Sequence, residues 1–443
     1  MLTFILSLFI ILIMYLEKLF FFNLERNFAA SFLGRAELIF FTVLSLIAIF
    51  LFLSKHATKL KSRPRVKSKK IEWLTLLFLS ATAIVIGLSF YINYHKISIH
   101  WDAVALYDAR AKFLDYGISF SEMPLLSQFD SQNKYYYLLY PPFTSISHFY
   151  WGKIALLSQI PVSVYYSVTL LFLITLLYLL TKESLGSKLA GLLALIVASN
   201  NSIFNVSIKE YTNLPFALYL IVGIFFIYSY LRNNDNWKLL FGIILVASSI
   251  WIRLLEPMWT TVVIAFGLTI LTKTKDIKKL FPVGLLLLFC LIQYFAWTYF
   301  VNDIAKSPGF LNFSYLTIFD SILALLTGGA ILVLEKITLA WGIPLLIHLI
   351  VIFALILKWR IARRNREIVF LGTLLLLSLI MYFTIFYIFS FQVDWWANIA
   401  KSLDRSSSFL IPISGYLLLW LIINSGIIKS GLFKNKRWFP RPN

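Results

Sequence analysis

Cysteine and charge are the scarce components of this 443-residue chain. A single cysteine, Cys290, lies inside an apolar run, so no disulfide framework exists and the redox compartment is not readable from cysteines. Charged residues make up only 14% of the chain and hydrophobic ones 60%, with a mean hydropathy of +0.82. A soluble chain of this length carries far more charge and shorter apolar runs. No phosphate-binding glycine loop, HExxH or CxxC pattern is present, and no internal repeat, low-complexity tract or soluble domain stands out. Acidic residues number 20 against 40 basic ones, a net charge of +20. In a soluble protein that excess would suggest nucleic acid; here it reads as Lys and Arg gathered in loops on the cytoplasmic side, with no nucleic-acid partner.

What is abundant is long apolar sequence. Many windows exceed the roughly 18–20 apolar residues that cross a bilayer core. They lack the ~10-residue alternation of barrel strands. The fold class is therefore an all-α polytopic membrane protein with about twelve transmembrane helices. Hydropathy places the spans near 3–22, 37–54, 73–93, 164–181, 187–205, 214–231, 237–255, 258–272, 280–300, 338–357, 368–390 and 409–427. The first stretch, MLTFILSLFIILIMYL, lacks a basic start and a small-residue cleavage site, and reads as a retained span.

Charge sets the expected orientation. The segments KHATKLKSRPRVKSKK, KTKDIKK (273–279), KWRIARRNR (358–366) and the tail from Lys429 together hold 22 of the 40 basic residues. With twelve spans all four fall on one side, which places both termini in the cytoplasm. The opposite side receives loops near 94–163, 301–337 and 391–408. Residues 318–334 are apolar apart from Asp320, but a crossing there would put the 358–366 basic run outside. They read as an interfacial or re-entrant helix. Residues 1–72 form two spans plus a basic loop, 73–428 a transmembrane core, and 429–443 a basic tail.

The loop at 94–163 carries the densest chemistry. HWDAVALYDARAKFL (100–114) has no Gly or Pro and is Ala-rich, so it reads as helix. Asp102 falls in its first turn, where the helix dipole favours a carboxylate. Asp108 and Lys112 are four apart and can pair across one turn, whereas Asp102 lies on another face. A bland reading makes Asp102 a helix capper and Asp108 a surface ion pair. Farther on, YPPF (140–143) opens a segment in which Phe143, Ile146, Phe149, Tyr150, Ile154 and Leu157 recur at three- and four-residue spacing. That pattern predicts an amphipathic juxtamembrane helix, serving either as an anchor or as a platform beside a lipid. His95, His100 and His148 share the loop, but their spacing fits no zinc pattern, and they read as hydrogen-bonding interfacial residues.

WDAVALYDARAKFL resembles the first-loop motif of membrane glycosyltransferases of the GT-C fold, the superfamily of protein O-mannosyltransferases and the lipid A aminoarabinose transferase. YPPF with Tyr140 is similar to the family motif that opens a juxtamembrane helix. EYTNLPFALY (210–219) is similar to a family segment with an aspartate before Leu-Pro, a position filled here by Asn213. IRLLEP (252–257) resembles a basic-x-x-Glu segment, and SLDRSSSFLIP (402–412) a Ser-x-x-Arg…Pro motif opening a late span. The likeness covers roughly residues 73–425 and leaves the first two spans as an addition before a GT-C-like core.

The resemblance implies transfer of a sugar from a polyprenyl-phosphate donor to a glycan, lipid or protein acceptor on the extracytoplasmic face of the cell membrane. It implies Asp102 as general base, with Asp108 as the next candidate and Lys112 and Tyr140 in support. Arg253, Arg405 and Lys209 are the expected cations for the donor phosphate, whose charge grows as it leaves. Glu256 lies three residues from Arg253 and is an alternative ion-pair partner for it; Arg405 has Asp404 beside it. Because Asn213 carries no charge, either Glu210 replaces the family aspartate or a metal-assisting role is absent. A divalent metal stays open as a cofactor and no ligand set is assigned. Two other classes remain in play: a multi-span transporter or lipid flippase, and a non-catalytic envelope assembly protein that would tolerate loss of Asp102.

Overall fold

A computed structural model describes residues 1–60, 72–96, 102–123, 140–158, 160–254, 258–272, 277–304, 338, 342–392 and 405–424. The expected re-entrant helix at 318–334 and the basic tail lie outside the described residues, as do Glu256 and Asp404.

Every regular element among the described residues is helical. The helices are α1 (Leu2–Leu24), α2 (Phe32–Leu60), α3 (Trp73–His95), α4 (Ala109–Asp115), α5 (Phe143–Ser158), α6 (Val164–Ser199), α7 (Asn201–Ile208) and α8 (Asn213–Asn233). They continue with α9 (Asn236–Ile250), α10 (Met258–Leu271), α11 (Phe281–Tyr299), α12 (Ile343–Leu357), α13 (Arg366–Gln392) and α14 (Leu410–Asn424). Six described helical stretches are long and apolar enough to span a membrane, and α9, α10, α12 and α14 are shorter apolar helices. The protein is thus an all-α membrane protein. In hydrocarbon a helix satisfies its own backbone groups, so sequences this apolar have few alternatives.

The ends follow from local chemistry. Proline sits in the first turn of α11 and of α12, where its missing N–H costs nothing. Asn234 takes a left-handed conformation (φ 54°) to close α8. Helix α6 runs unbroken in sequence from Val164 to Ser199, merging the two stretches expected at 164–181 and 187–205. Gly186 inside it has φ 77° and ψ 168°, outside the helical region. Ser89 Oγ on α3 meets Ser167 Oγ at 2.9 Å and Ser207 Oγ at 3.0 Å. A straight helix would separate those two serines by about 60 Å, so the chain reverses between them and Gly186 is the turn. The second arm stops earlier than expected, because Asn200 accepts from Ser202 N and Ile203 N and caps a new helix.

Among the described candidate spans helix α8 is the most enclosed, packed among α6, α9 and α13. Its crossing with α9 is set by two glycines. A Cβ on Gly223 would lie 2.8 Å from Val246 Cγ2 and 3.1 Å from the Gly242 carbonyl oxygen; one on Gly242 would lie 3.0 Å from the Gly223 carbonyl oxygen. Small residues let two backbones approach where no hydrophobic drive brings helices together in lipid. Gly242→Val is expected to force the two helices apart at a cost of about 1–3 kcal/mol. Thermal unfolding in detergent, followed by tryptophan fluorescence, should show a lower midpoint than wild type; an unchanged midpoint would mean the crossing relaxes without strain.

The juxtamembrane helix departs from its expected pattern. Phe143 and Ile146 are buried, but Tyr150, Ile154 and Leu157, on the same nominal stripe, are exposed. Burial in α5 changes along its length rather than around it: residues 143–148 are buried, 149, 151 and 152 half-buried, and 150, 153, 154 and 156–158 exposed. A periodicity argument assumes one environment per helix, and α5 has two. The first two spans are likewise part of the bundle. Helix α2 packs on α9 and α11, and α1 on α5 and α6.

Candidate functional site

The segments singled out in sequence meet at one end of the bundle. Residues Asp102–Asp108 form a π-helical stretch that tightens into α4. Such widened turns are rare and concentrate at functional sites. Asp102 opens this stretch, and its side chain lies outside the described residues. At the other end of it, Asp108 Oδ1 stands 2.7 Å from His148 Nδ1, and His148 Nε2 stands 2.7 Å from the Tyr166 hydroxyl. A carboxylate only accepts, so the hydrogen-bond complement assigns Nδ1–H as the donor to Asp108, and Nε2 shares a hydrogen bond with the Tyr166 hydroxyl. The His148 ring is fully buried while the Asp108 side chain is 30% exposed. The imidazole therefore holds the carboxylate from behind and leaves one face open. The expected partner Lys112 is not the one found: it is exposed on α4, and Asp108 turns instead to a different helix. A buried ring with two short bonds competes better than a solvated ammonium on a flexible stem.

Tyr140 links this carboxylate to the cations. Its ring lies edge-on to Tyr107, which itself lies edge-on to His148. Its backbone carbonyl accepts from buried Arg110 Nη1 at 2.9 Å. The Arg253 guanidinium lies over the Tyr140 ring at 5.5 Å and donates from Nη1 to Thr212 Oγ1 at 3.2 Å and from Nη2 to Ser406 Oγ at 3.3 Å. Arg253 follows α9 in a turn closed by backbone bonds from Ile252 and Arg253 to Ser249. Next to these contacts, the Arg405 guanidinium stacks over Tyr211 at 4.2 Å. Tyr382 of α13 donates to the Ser406 carbonyl at 2.7 Å, fixing that segment. Segments at 140, 211–212, 253 and 405–406 thus converge through one buried arginine and its neighbour.

Glu210 and Lys209 sit where α7 turns into α8. Glu210 is buried with φ 58°, an uncommon conformation for a residue with a Cβ. Lys209 is half-buried. Lys96, just past α3, donates to the Ile208 carbonyl at 2.8 Å, and burial pulls its ammonium below the usual lysine range, with Glu210 opposing the shift and Lys209 adding to it. Among the described residues no three His, Cys, Asp or Glu side chains cluster closely enough to share a metal ion.

Charges within and beside the first two spans form a further group that the sequence did not single out. Glu17 and Lys18 on α1 and Glu37 on α2 are buried inside apolar helices. Glu17 Oε1 accepts from Ser147 Oγ at 2.6 Å. Lys18 Nζ pairs with Glu37, donates to Gln293 Oε1 of α11 at 2.7 Å and lies 3.9 Å from the centre of the Trp251 ring. Charges inside spans are costly unless paired, which was the available signal.

Glu25, just beyond α1, is 3% exposed and accepts from Ser121 N at 3.0 Å and Ser121 Oγ at 2.6 Å. Burial raises its carboxyl above the ordinary glutamate value, and the Ser121 bonds only partly offset this. A folded-state value above the unfolded one means the native chain holds the proton longer. The stabilisation is full below the unfolded value of about 4.3 and is lost as pH rises through the folded one. Glu25→Gln should flatten the fall of the melting temperature across that window; an unaltered pH profile would remove Glu25 from the account.

Comparison with protein-family profiles, with characterised proteins and with solved structures finds no match for this chain. What fold and site define is a class: an all-helical membrane protein with an oriented carboxylate and two converging arginines at one end of its bundle.

Proposed function

We propose that the protein is a membrane glycosyltransferase that moves a sugar from a polyprenyl-phosphate donor to a hydroxyl acceptor. The observation that carries this reading is Arg253, held by Tyr140, Thr212 and Ser406 and joined through the Tyr140 and Tyr107 rings to the Asp108–His148–Tyr166 chain. Transfer from a lipid phosphate needs a carboxylate to accept the acceptor's proton and cations to receive the departing phosphate. Both kinds of group stand together at the end of an apolar bundle, where a lipid headgroup would lie. In this reading the base is a carboxylate of the π-helical stretch. Asp102 has that role from its place in the motif, with Asp108 oriented by His148 at its side. Arg253 and Arg405 take the phosphate, with Lys209 adding positive charge and Glu210 bracing the turn.

The finer topology belongs to the same reading: about twelve spans, a core resembling the GT-C fold, the basic loops cytoplasmic and the site extracytoplasmic. The reversal at Gly186, which divides α6 into two arms, is in keeping with that count. A second reading, a transporter or lipid flippase, is favoured by the buried Lys18–Glu37 pair, since intramembrane charges often mark a translocation path.

The test is transfer of radiolabel from a panel of polyprenyl-phosphate sugars by purified protein. Label moving to a hydroxyl acceptor supports the enzyme. Absence of transfer from every donor, together with movement of a labelled lipid across proteoliposomes, sinks it in favour of the flippase.

A further inference from the structure

Glu17 and Lys18 are adjacent on α1, yet they reach opposite sides of the site. Glu17 accepts from Ser147, the residue before His148 on α5. Ser147 Oγ also lies 3.3 Å from the Tyr165 hydroxyl, and Tyr165 precedes Tyr166 on α6. Two contact chains run through neighbouring residues: Glu17–Ser147–Tyr165 and, one residue along on α5 and α6, Asp108–His148–Tyr166. Phe20 of α1 stacks on Phe149 at 5.1 Å and meets Tyr150 at 5.3 Å, so α1 grips α5 on both sides of His148. Lys18 points the other way. Its ammonium lies against Trp251, two residues before Arg253, and is anchored by Glu37 and Gln293. The Trp251 ring is further enclosed by Phe21 and Trp297, at 5.1 and 5.6 Å.

Burying two carboxylates and an ammonium in apolar helices is expensive, and a pair of aliphatic residues would pack the same hairpin at less cost. A simple membrane anchor has no use for these groups. Their partners, however, adjoin the two halves of the candidate site. We propose that Glu17 and Lys18 are positioning residues: through Ser147 and Trp251, respectively, the α1–α2 hairpin sets the His148 ring and the Arg253 guanidinium. The hairpin is then an obligate part of the site rather than an addition before the core. The geometric claim stands on the contacts alone; its kinetic consequence rests on the glycosyltransferase reading.

The test has two arms. In the first, the protein is labelled with 15N-histidine, and the His148 ring signals are assigned by their loss in His148→Gln. Ser147→Ala removes one oxygen and Glu17→Met removes the acceptor; both should shift the His148 signals, whereas Glu17→Gln, which keeps an acceptor, should restore them. Unmoved signals in Ser147→Ala and Glu17→Met overturn the Glu17 half. Should Glu17→Met fail to fold, Ser147→Ala carries the arm alone. Lys18→Met should weaken binding of geranyl phosphate by about tenfold or more and leave the His148 signals in place. Unchanged geranyl phosphate affinity overturns the Lys18 half.

The second arm is transfer kinetics per folded molecule. Ser147→Ala should lower kcat by about 10- to 100-fold with the donor KM nearly constant, and Lys18→Met should raise the donor KM with kcat nearly constant. A merely structural role predicts less folded protein and the same constants. If the wild type turns over no donor while the His148 signals still move, the glycosyltransferase reading fails and the Glu17 half of the positioning claim survives; the Lys18 half then stands only if Lys18→Met still weakens geranyl phosphate binding. If the wild type transfers sugar and both variants match it in constants and signals, the positioning claim fails and the reading survives.

Discussion

Asp102→Asn is expected to lower sugar transfer by about 10²- to 10⁴-fold while the variant still folds and binds donor. Asparagine keeps the shape and the acceptor oxygen of the carboxylate but cannot take a proton. Asp108→Asn is expected to cost about tenfold less than that. The amide carbonyl introduced by Asp108→Asn would still accept from His148 Nδ1–H, so the stretch from 102 to 108 keeps its anchor and loses only a nearby charge. The ranking is the informative result. If Asp108→Asn abolishes transfer and Asp102→Asn leaves most of it, the base is the carboxylate that His148 orients. In that case His148→Gln should also be damaging, because the imidazole is the group that holds that carboxylate in place. Equal activity in all three variants would remove both aspartates from the chemistry and favour the non-catalytic readings.

The spans were legible because hydropathy sums over some twenty residues, and one misread side chain does not change the sum. The turn at Gly186 was legible as the polar stretch TKESLGSK between two apolar runs, though its tightness was not, since one residue reverses the chain inside a continuous helical stretch. The site was legible only as an ordered set of segments. Tyr140, Thr212, Arg253 and Ser406 lie far apart in the chain, and nothing local announces that one guanidinium joins them. His148 reads in sequence as an interfacial hydrogen-bonding residue. It does bond through both nitrogens, but it is buried, because α5 dips into the bundle over just its first half. Glu17, Lys18 and Glu37 are visible as charges in apolar runs. Their meaning lies in partners more than a hundred residues away, Ser147, Gln293 and Trp251, which no periodicity reveals.

Arg253→Met should raise the donor KM by about 10- to 100-fold. That range follows from losing a charge-assisted contact of about 1.5–3 kcal/mol. Methionine fills most of the arginine volume and strands no charge, so the comparison isolates the guanidinium. Arg253→Lys should recover little, because an ammonium cannot reach Thr212 and Ser406 together while facing a phosphate. The opposing account makes Arg253 a brace that ties α8 to the segment before α14. On that account Arg253→Met lowers the melting temperature and the folded yield but leaves the donor KM alone. Arg405 separates the two further. It stacks on Tyr211, next to Thr212, and precedes Ser406, so the two arginines share one scaffold. If both grip the same phosphate, Arg253→Met and Arg405→Met should be non-additive in donor KM by at least about 0.5 kcal/mol. If Arg253 only braces the helices, its effect on stability should appear with or without Arg405, and donor binding should report Arg405 alone.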